Sequence, residues 1–346
     1  VRAVQISEFG GPEVLRVTDL EDPAPGAGEL LVEVDSAGVN YADTHQAEDS
    51  YLVRQSLPFV PGSEVVGRVV GGDVPDFPLG TRVLAMTTGG GGYAERTVVP
   101  GTSVFRLKDD LTDAQALALM VHGTTAWHLL RRSAELRPGD TVVVHSAAGG
   151  VGTMAVQLAR AWGAGRIVAT ASGGTKSELV RSLGADEVID ISGTTTADEV
   201  KTVLRDACGG AGPDVVLEMT GGHVFDGSLA ALRPLGRLAV FGMASNVAPQ
   251  PVQVQRLMKR SITLTGFWLP RVLSEPGLLA AALEELRSMV RAGVLKPVIG
   301  ETYPLAEAAR AHEDIRSRRT VGKLVLDVSG KGVVQAVAQA KEKNAD

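Results

Sequence analysis

The stretch HSAAGGVGTMAVQLARAWGAG, residues 145–165, decides the fold. Three glycines, Gly149, Gly150 and Gly152, fall within four residues. Before them runs TVVVHS, whose length and β-branching suit a buried strand, and after them Val151, Met154, Ala155, Leu158 and Trp162 recur on one helical face. A chain that passes from strand to helix this quickly needs small residues at the corner. The same corner exposes the unpaired N–H groups of a helix start, which stabilise an anion.

Set against the pattern G-x-G-x-x-G, Ala147 takes the first glycine, Gly149 and Gly152 match the other two, and Gly150 is extra. A glycine corner alone is weak evidence, so its surroundings decide. Between Thr141 and Phe267, TVVVHS, RIVATA, EVIDI, DVVLEM, RLAVFG and ITLTGF alternate with helical stretches. That alternation implies right-handed crossovers and a doubly wound parallel (Rossmann) sheet of α/β class. Within it the turn is expected to hold the pyrophosphate of a dinucleotide. Ala148, Gly149, Gly150, Val151 and Gly152 would lie against it, with no Cβ at Gly149 or Gly150 to keep the phosphates away. Thr220, Phe241, Gly242 and Phe267 are further expected cofactor contacts.

A site for NAD usually places a carboxylate about 20 residues past the glycines, on the ribose 2′-hydroxyl. Here that position is Ser172, within ATASGGTK, which offers hydroxyls at Ser172 and Thr175 and a cation at Lys176. With no carboxylate to repel a 2′-phosphate, the chemistry suits NADPH. An ordinary polar loop would read the same way.

The first hundred residues read as short strands with Gly/Pro punctuation, among them RAVQIS, VLRVTDL, ELLVEVDSAGVN, EVVGRVVG, TRVLAM and YAERTVV. Thr112 and Gln115 stand at capping-box spacing before a helical run. Past Phe267 a helical stretch precedes the strand GKLVLDV, which is assigned to the first domain, so the chain leaves that domain and returns. The expected division is 1–122 with 268–346, around 123–267. GVVQAVAQAKEKNAD at the end suits a short amphipathic helix or a frayed terminus.

The 346 residues carry a formal charge of −6, which gives no basic stripe for nucleic acid. No apolar run approaches the roughly 20 residues that span a bilayer. VRAVQISEFGGPEVL lacks the basic head and apolar core of a leader, so the expected location is the cytoplasm. Cys208 is the only cysteine, which excludes an intrachain disulfide and a multi-cysteine zinc lobe.

AGVNYADTHQ, PGSEVVGRVV, LRPGDTVVVHSAAGGVG, SLGADEVID and RSRRTVGKLVL together resemble the zinc-independent quinone oxidoreductase branch of the medium-chain dehydrogenase/reductase superfamily, over nearly the whole chain. The resemblance implies a Rossmann domain inserted into a β-rich, GroES-like catalytic domain. It implies no metal, because Ser63 stands where zinc-dependent relatives place a histidine ligand and the ligand cysteine is missing from AGVNYAD. Glu64 is read as a structural hydrogen-bonding residue. Asn40 matches an asparagine of the nicotinamide cleft, and Tyr51 a tyrosine found in quinone and enoyl reductases. His45 replaces a tyrosine set against the cofactor. Arg318 matches an arginine that reaches the phosphate side. His122, His145 and His223 are read as structural.

Without a metal to polarise a carbonyl, a hydride acceptor must be activated already, as quinones and α,β-unsaturated carbonyls are. The expectation is an NADPH-dependent reductase of such a small molecule, with Asn40, Tyr51 and His45 as catalytic residues, assembled as a homodimer through SITLTGF. Two alternatives stay open: an enoyl-thioester reductase, and an NADPH-binding structural or adaptor protein whose cleft is blocked.

Overall fold

The structure, a computed structural model, describes residues 1–87, 89–273, 275 and 277–330. The expectation for 332–346 therefore falls outside the described residues. The chain divides into two compact units, Val1–Val121 with Val298–Asp346, and His122–Pro297.

The second unit is built on six parallel strands. Their order is Glu187–Ile189, Arg166–Thr170, Thr141–Val144, Val215–Glu218, Arg237–Val240, Thr263–Gly266. All six follow runs read from the sequence. Val142, Val143, Val144, Ile167, Val168, Ala169, Val215 and Val216 are fully buried, as expected for strands covered on both faces. Thr141–Val144 lies between the second and fourth strands, so the order reverses there and opens a crevice at the strands' carboxyl ends. The glycine turn follows that strand.

The first unit holds a seven-stranded sheet. Glu29–Val39 pairs antiparallel with Glu64–Gly72, Arg96–Pro100 and the returning strand Lys323–Asp327. The sheet's last strand, Ile299–Pro304, runs parallel to Lys323–Asp327 and is joined to it through the helix Ala308–Arg316. Arg2–Gln5 and Arg16–Asp19 form a separate pair. Thr112 caps the helix Asp113–Leu117, and its hydroxyl and amide exchange hydrogen bonds with Gln115 at 3.2 and 3.0 Å.

The chain returns to the first unit later than expected, so 268–297 sits with the second. The physical reason is the helix Leu278–Arg291. It buries Leu279, Ala282, Leu283 and Leu286, while Glu285 accepts from Trp127 Nε1 at 2.7 Å and Arg131 at 2.9 Å. The Arg131 guanidinium in turn lies 3.8 Å from the Trp162 ring centre.

Candidate active site

The glycine turn is held from below. His145 is buried, with Nδ1 3.3 Å from Thr170 Oγ1 and Nε2 2.8 Å from Ser228 Oγ. Burial pushes its imidazole down to about 4, so it is neutral at pH 7. The helix Gly150–Ala161 begins on the cap Gly149.

The three glycines have different reasons. A Cβ on Gly152 would lie 2.4 Å from the Ser146 carbonyl oxygen and 2.6 Å from Ala147 Cα, so this glycine packs helix against strand. A Cβ on Gly150 would run into the imidazole of His122. Only at Gly149 is nothing nearer than 3.2 Å. The sequence suggests that Gly149 and Gly150 both clear the way for phosphates; at Gly150 a histidine takes the space. Ala148 is buried and Val151 half-buried.

Ser172 is exposed past the strand Arg166–Thr170. Lys176 lies half-buried in the first turn of the helix Gly174–Ser182, and burial holds its amine below the ordinary value. A cation there adds to the positive end of the helix dipole, an arrangement that a bound anion stabilises. Buried Glu218 organises the loop after the fourth strand: Oε1 accepts from the Thr220 and Gly221 amides at 2.7 and 3.2 Å. Burial pushes its carboxyl up to about 7. The Phe241 amide donates to the Glu218 carbonyl at 2.9 Å, Gly242 is exposed, and the Phe267 ring stacks on buried His128 with centroids 5.8 Å apart.

In the first unit Asn40 caps the helix Tyr41–Ala47 and is 4% exposed. Its amide is fixed at both ends: Oδ1 accepts from Lys323 Nζ at 2.9 Å, and Nδ2 donates to Glu64 Oε1 at 3.1 Å. Lys323 also donates to the Val39 carbonyl and is ion-paired with Glu64, both side chains fully buried. Glu64 Oε2 accepts from the Val121 amide at 3.1 Å. A Cβ on Gly38 would overlap the Glu64 carboxylate, so that strand glycine makes its space.

A second buried group adjoins the first. Asp43 accepts from the Asn40 amide at 2.8 Å, the Tyr93 hydroxyl at 3.0 Å and the Ser63 hydroxyl at 3.3 Å. Burial pushes its carboxyl up to about 6, against the pull of these donors and of Lys323. Tyr93 also meets His312 Nε2 at 3.2 Å.

His45 lies one turn along the helix from Tyr41, whose ring it meets edge-on at 5.2 Å, with Nδ1 2.9 Å from Ser50 Oγ. Burial and the Arg316 charge hold it below the usual imidazole range. Tyr51 is half-buried in the bend that follows, and Arg318 is exposed with φ +56° past the helix Ala308–Arg316. Among the described residues no group of three or more His, Cys, Asp or Glu could hold a metal ion, and no helix is long and apolar enough to cross a membrane.

Residues 26–109 match the alcohol dehydrogenase GroES-like domain, and residues 150–286 the zinc-binding dehydrogenase domain. The rat (Rattus norvegicus) quinone oxidoreductase is 35% identical over 335 residues, covering 94% of this chain and 97% of that one. The chain belongs to the quinone oxidoreductase branch of the medium-chain dehydrogenases/reductases. A 2-haloacrylate reductase of Burkholderia sp. is also 35% identical, over 333 residues, covering 94% of this chain and 98% of its own. The Escherichia coli quinone oxidoreductase, solved in complex with NADPH, superposes with a TM-score of 0.87 at 30% identity, covering 95% of this chain and 100% of that one. Like these relatives, the chain is an oxidoreductase.

Sequence reasoning about this quinone oxidoreductase relative missed Lys323, Asp43, Tyr93 and His312. Two signals pointed to part of the cluster: a glycine inside a long strand at Gly38, and a lysine opening an apolar strand at Lys323.

Proposed function

We propose that this chain reduces quinones or other α,β-unsaturated carbonyl compounds with NADPH, without a metal. Asn40 carries the reading: it is a buried, neutral amide with one Nδ2 hydrogen that has no partner among the described residues. Such a group can stabilise a developing oxyanion without changing its own charge. Ser63 stands where the zinc-dependent pattern has a histidine ligand, and AGVNYAD holds no cysteine.

NADPH fits the second unit through Gly149, where a Cβ would meet only the Ser146 carbonyl oxygen at 3.2 Å, the start of the helix Gly150–Ala161, and Lys176 in a segment free of carboxylates from 171 to 177. Bound there, the nucleotide supplies the hydride. Asn40 and Tyr51 hold the substrate oxygen as it takes up the electron pair. A proton then completes the hydroquinone or saturated carbonyl, with His45 as the reserve donor. The likeness to a 2-haloacrylate reductase supports a conjugated acceptor, because an acrylate is one. A second copy of the chain is proposed to pair along the sheet-edge strand Thr263–Gly266, near which Leu235, Val254 and Met258 are exposed.

The test is steady-state NADPH oxidation with 1,4-benzoquinone, but-3-en-2-one, an enoyl thioester and a saturated aldehyde. Turnover with the first two and none with the aldehyde is expected. A clear preference for the thioester would favour an enoyl-thioester reductase; tight NADPH binding with no turnover would favour the blocked-cleft reading.

A further inference from the structure

We propose that Lys323 is a positioning residue for turnover: together with Glu64 it locks the Asn40 amide in the single orientation that leaves one N–H for the substrate oxygen. The inference rests on the reading of Asn40 as an oxyanion donor and goes beyond it by naming what makes that donor work.

A terminal amide can rotate about its last bond and exchange its oxygen for its nitrogen. In the open its N–H therefore points no one way. Asn40 is denied both motions. An ammonium can only donate, so the atom facing Lys323 Nζ at 2.9 Å is Oδ1. A carboxylate can only accept, so the atom facing Glu64 Oε1 at 3.1 Å is Nδ2. A flip would set the amide nitrogen against the ammonium and the amide oxygen against the carboxylate. The backbone of Asn40 is pinned separately, through its N–H to Asp43 Oδ2 at 2.8 Å.

The cage is complete on its own account. The ammonium has three donors and three acceptors, the Val39 carbonyl, Asn40 Oδ1 and Glu64 Oε1. Glu64 Oε2 is taken by the Val121 amide. Within this cluster the N–H left without a partner is the second one on Asn40 Nδ2. An ion pair with no exposure is a weak source of net stability, since removing two charges from water costs about what their attraction returns. Orientation of a neighbour is a use that such a pair serves well.

The test compares wild type with Lys323→Met/Glu64→Gln, which removes both charges together and leaves no lone buried ion, and with Lys323→Arg, which keeps the positive charge. Each is also made in the Asn40→Ala background. Turnover of but-3-en-2-one and the Asn40 side-chain amide signals in 15N-resolved NMR of the full chain are read together. In the wild-type background the double change is expected to lower kcat about tenfold or more, with little change in NADPH affinity. The two Asn40 Nδ2 proton signals should remain distinct but move toward the positions of a free, solvent-averaged asparagine amide, and Lys323→Arg should retain part of both the turnover and the wild-type shifts. In the Asn40→Ala background the double change should cost no further turnover, because Lys323 acts only through Asn40.

Additive losses, or unaltered Asn40 amide signals in the double variant, would overturn the inference while leaving Asn40 as a donor. If Asn40→Ala turns over at the wild-type rate, the donor reading itself fails, and the proposed role of Lys323 in turnover fails with it. Should the double variant not fold, Lys323→Arg decides: unchanged kcat together with an altered amide spectrum overturns the inference, and a parallel fall in both supports it.

Discussion

A Cβ on Gly150 would lie 1.9 Å from Nδ1 of His122, so the imidazole fills the space that any other residue at 150 would need. Gly150 is the first residue of its helix, where alanine is ordinarily better than glycine by up to about 1 kcal/mol. Gly150→Ala should nonetheless destabilise, by about 1–3 kcal/mol, because the added methyl overpacks against the ring. Urea unfolding of Gly150→Ala, His122→Ala and the double variant checks this. The double variant should be more stable than Gly150→Ala. A stable Gly150→Ala protein would show that the ring moves aside freely.

Lys176 tests the choice of nucleotide. Lys176→Ala should weaken NADPH by about 1.5–3 kcal/mol, the range of a charge-assisted hydrogen bond, and leave NADH nearly unaffected. Fluorescence titration of both nucleotides measures the difference. Equal weakening would place Lys176 away from the 2′-phosphate.

These two residues mark how much the sequence alone reveals. The four inner parallel strands were legible because each is covered on both faces and so is largely apolar, whereas the part-exposed edge strands Glu187–Ile189 and Thr263–Gly266 were legible through their place in the strand–helix alternation. Ile299–Pro304 was not legible: it is a sheet-edge strand, mostly part-exposed, with Gly300 and Pro304 breaking any alternation. The glycine turn announced a corner, but Gly150 owes its identity to His122, which no motif contains. Asn40 was found through the resemblance, whereas its partners Glu64 and Lys323 lie 24 and 283 residues away along the chain. Local spacing carries no information about a contact made by sheet pairing over that distance. The late return of the chain was missed for a similar reason, since a helix's apolar face does not say which core it joins.

Glu218 gives a pH test with a definite sign. Burial raises its carboxyl from 4.5 to about 7, so between those values the folded chain binds more protons at this site than the unfolded chain. Its contribution to stability therefore falls as pH rises through that window. Glu218→Gln removes the titration and keeps an oxygen for the Thr220 and Gly221 amides. Relative to wild type, the variant should gain stability from pH 4.5 to 7, at up to about 1.4 kcal/mol per pH unit. His145 and His312, each lowered from 6.5 to about 4, act the opposite way: the unfolded chain binds the extra protons, and stability is lost as pH falls from 6.5. Unfolding of both proteins across the window decides it, and a difference independent of pH would place the Glu218 carboxyl near its ordinary value.

Tyr51 and His45 differ in how well each can meet the substrate oxygen. In a metal-free hydride step the oxygen gains charge, and a phenol can donate to it at any pH below about 10. His45 is less suited, because burial and the Arg316 charge both disfavour its protonated form and Nδ1 already meets Ser50. Loss of a pre-organised donor costs roughly a hundredfold or more in turnover. Tyr51→Phe should therefore lower kcat for but-3-en-2-one on that scale while NADPH affinity holds. 1,4-Benzoquinone, the stronger electrophile, should lose less. His45→Ala should alter kcat severalfold at most and leave its pH profile from 6 to 8 in place. If Tyr51→Phe is silent with both acceptors and His45→Ala abolishes turnover, the imidazole is the donor and the roles assigned here are reversed.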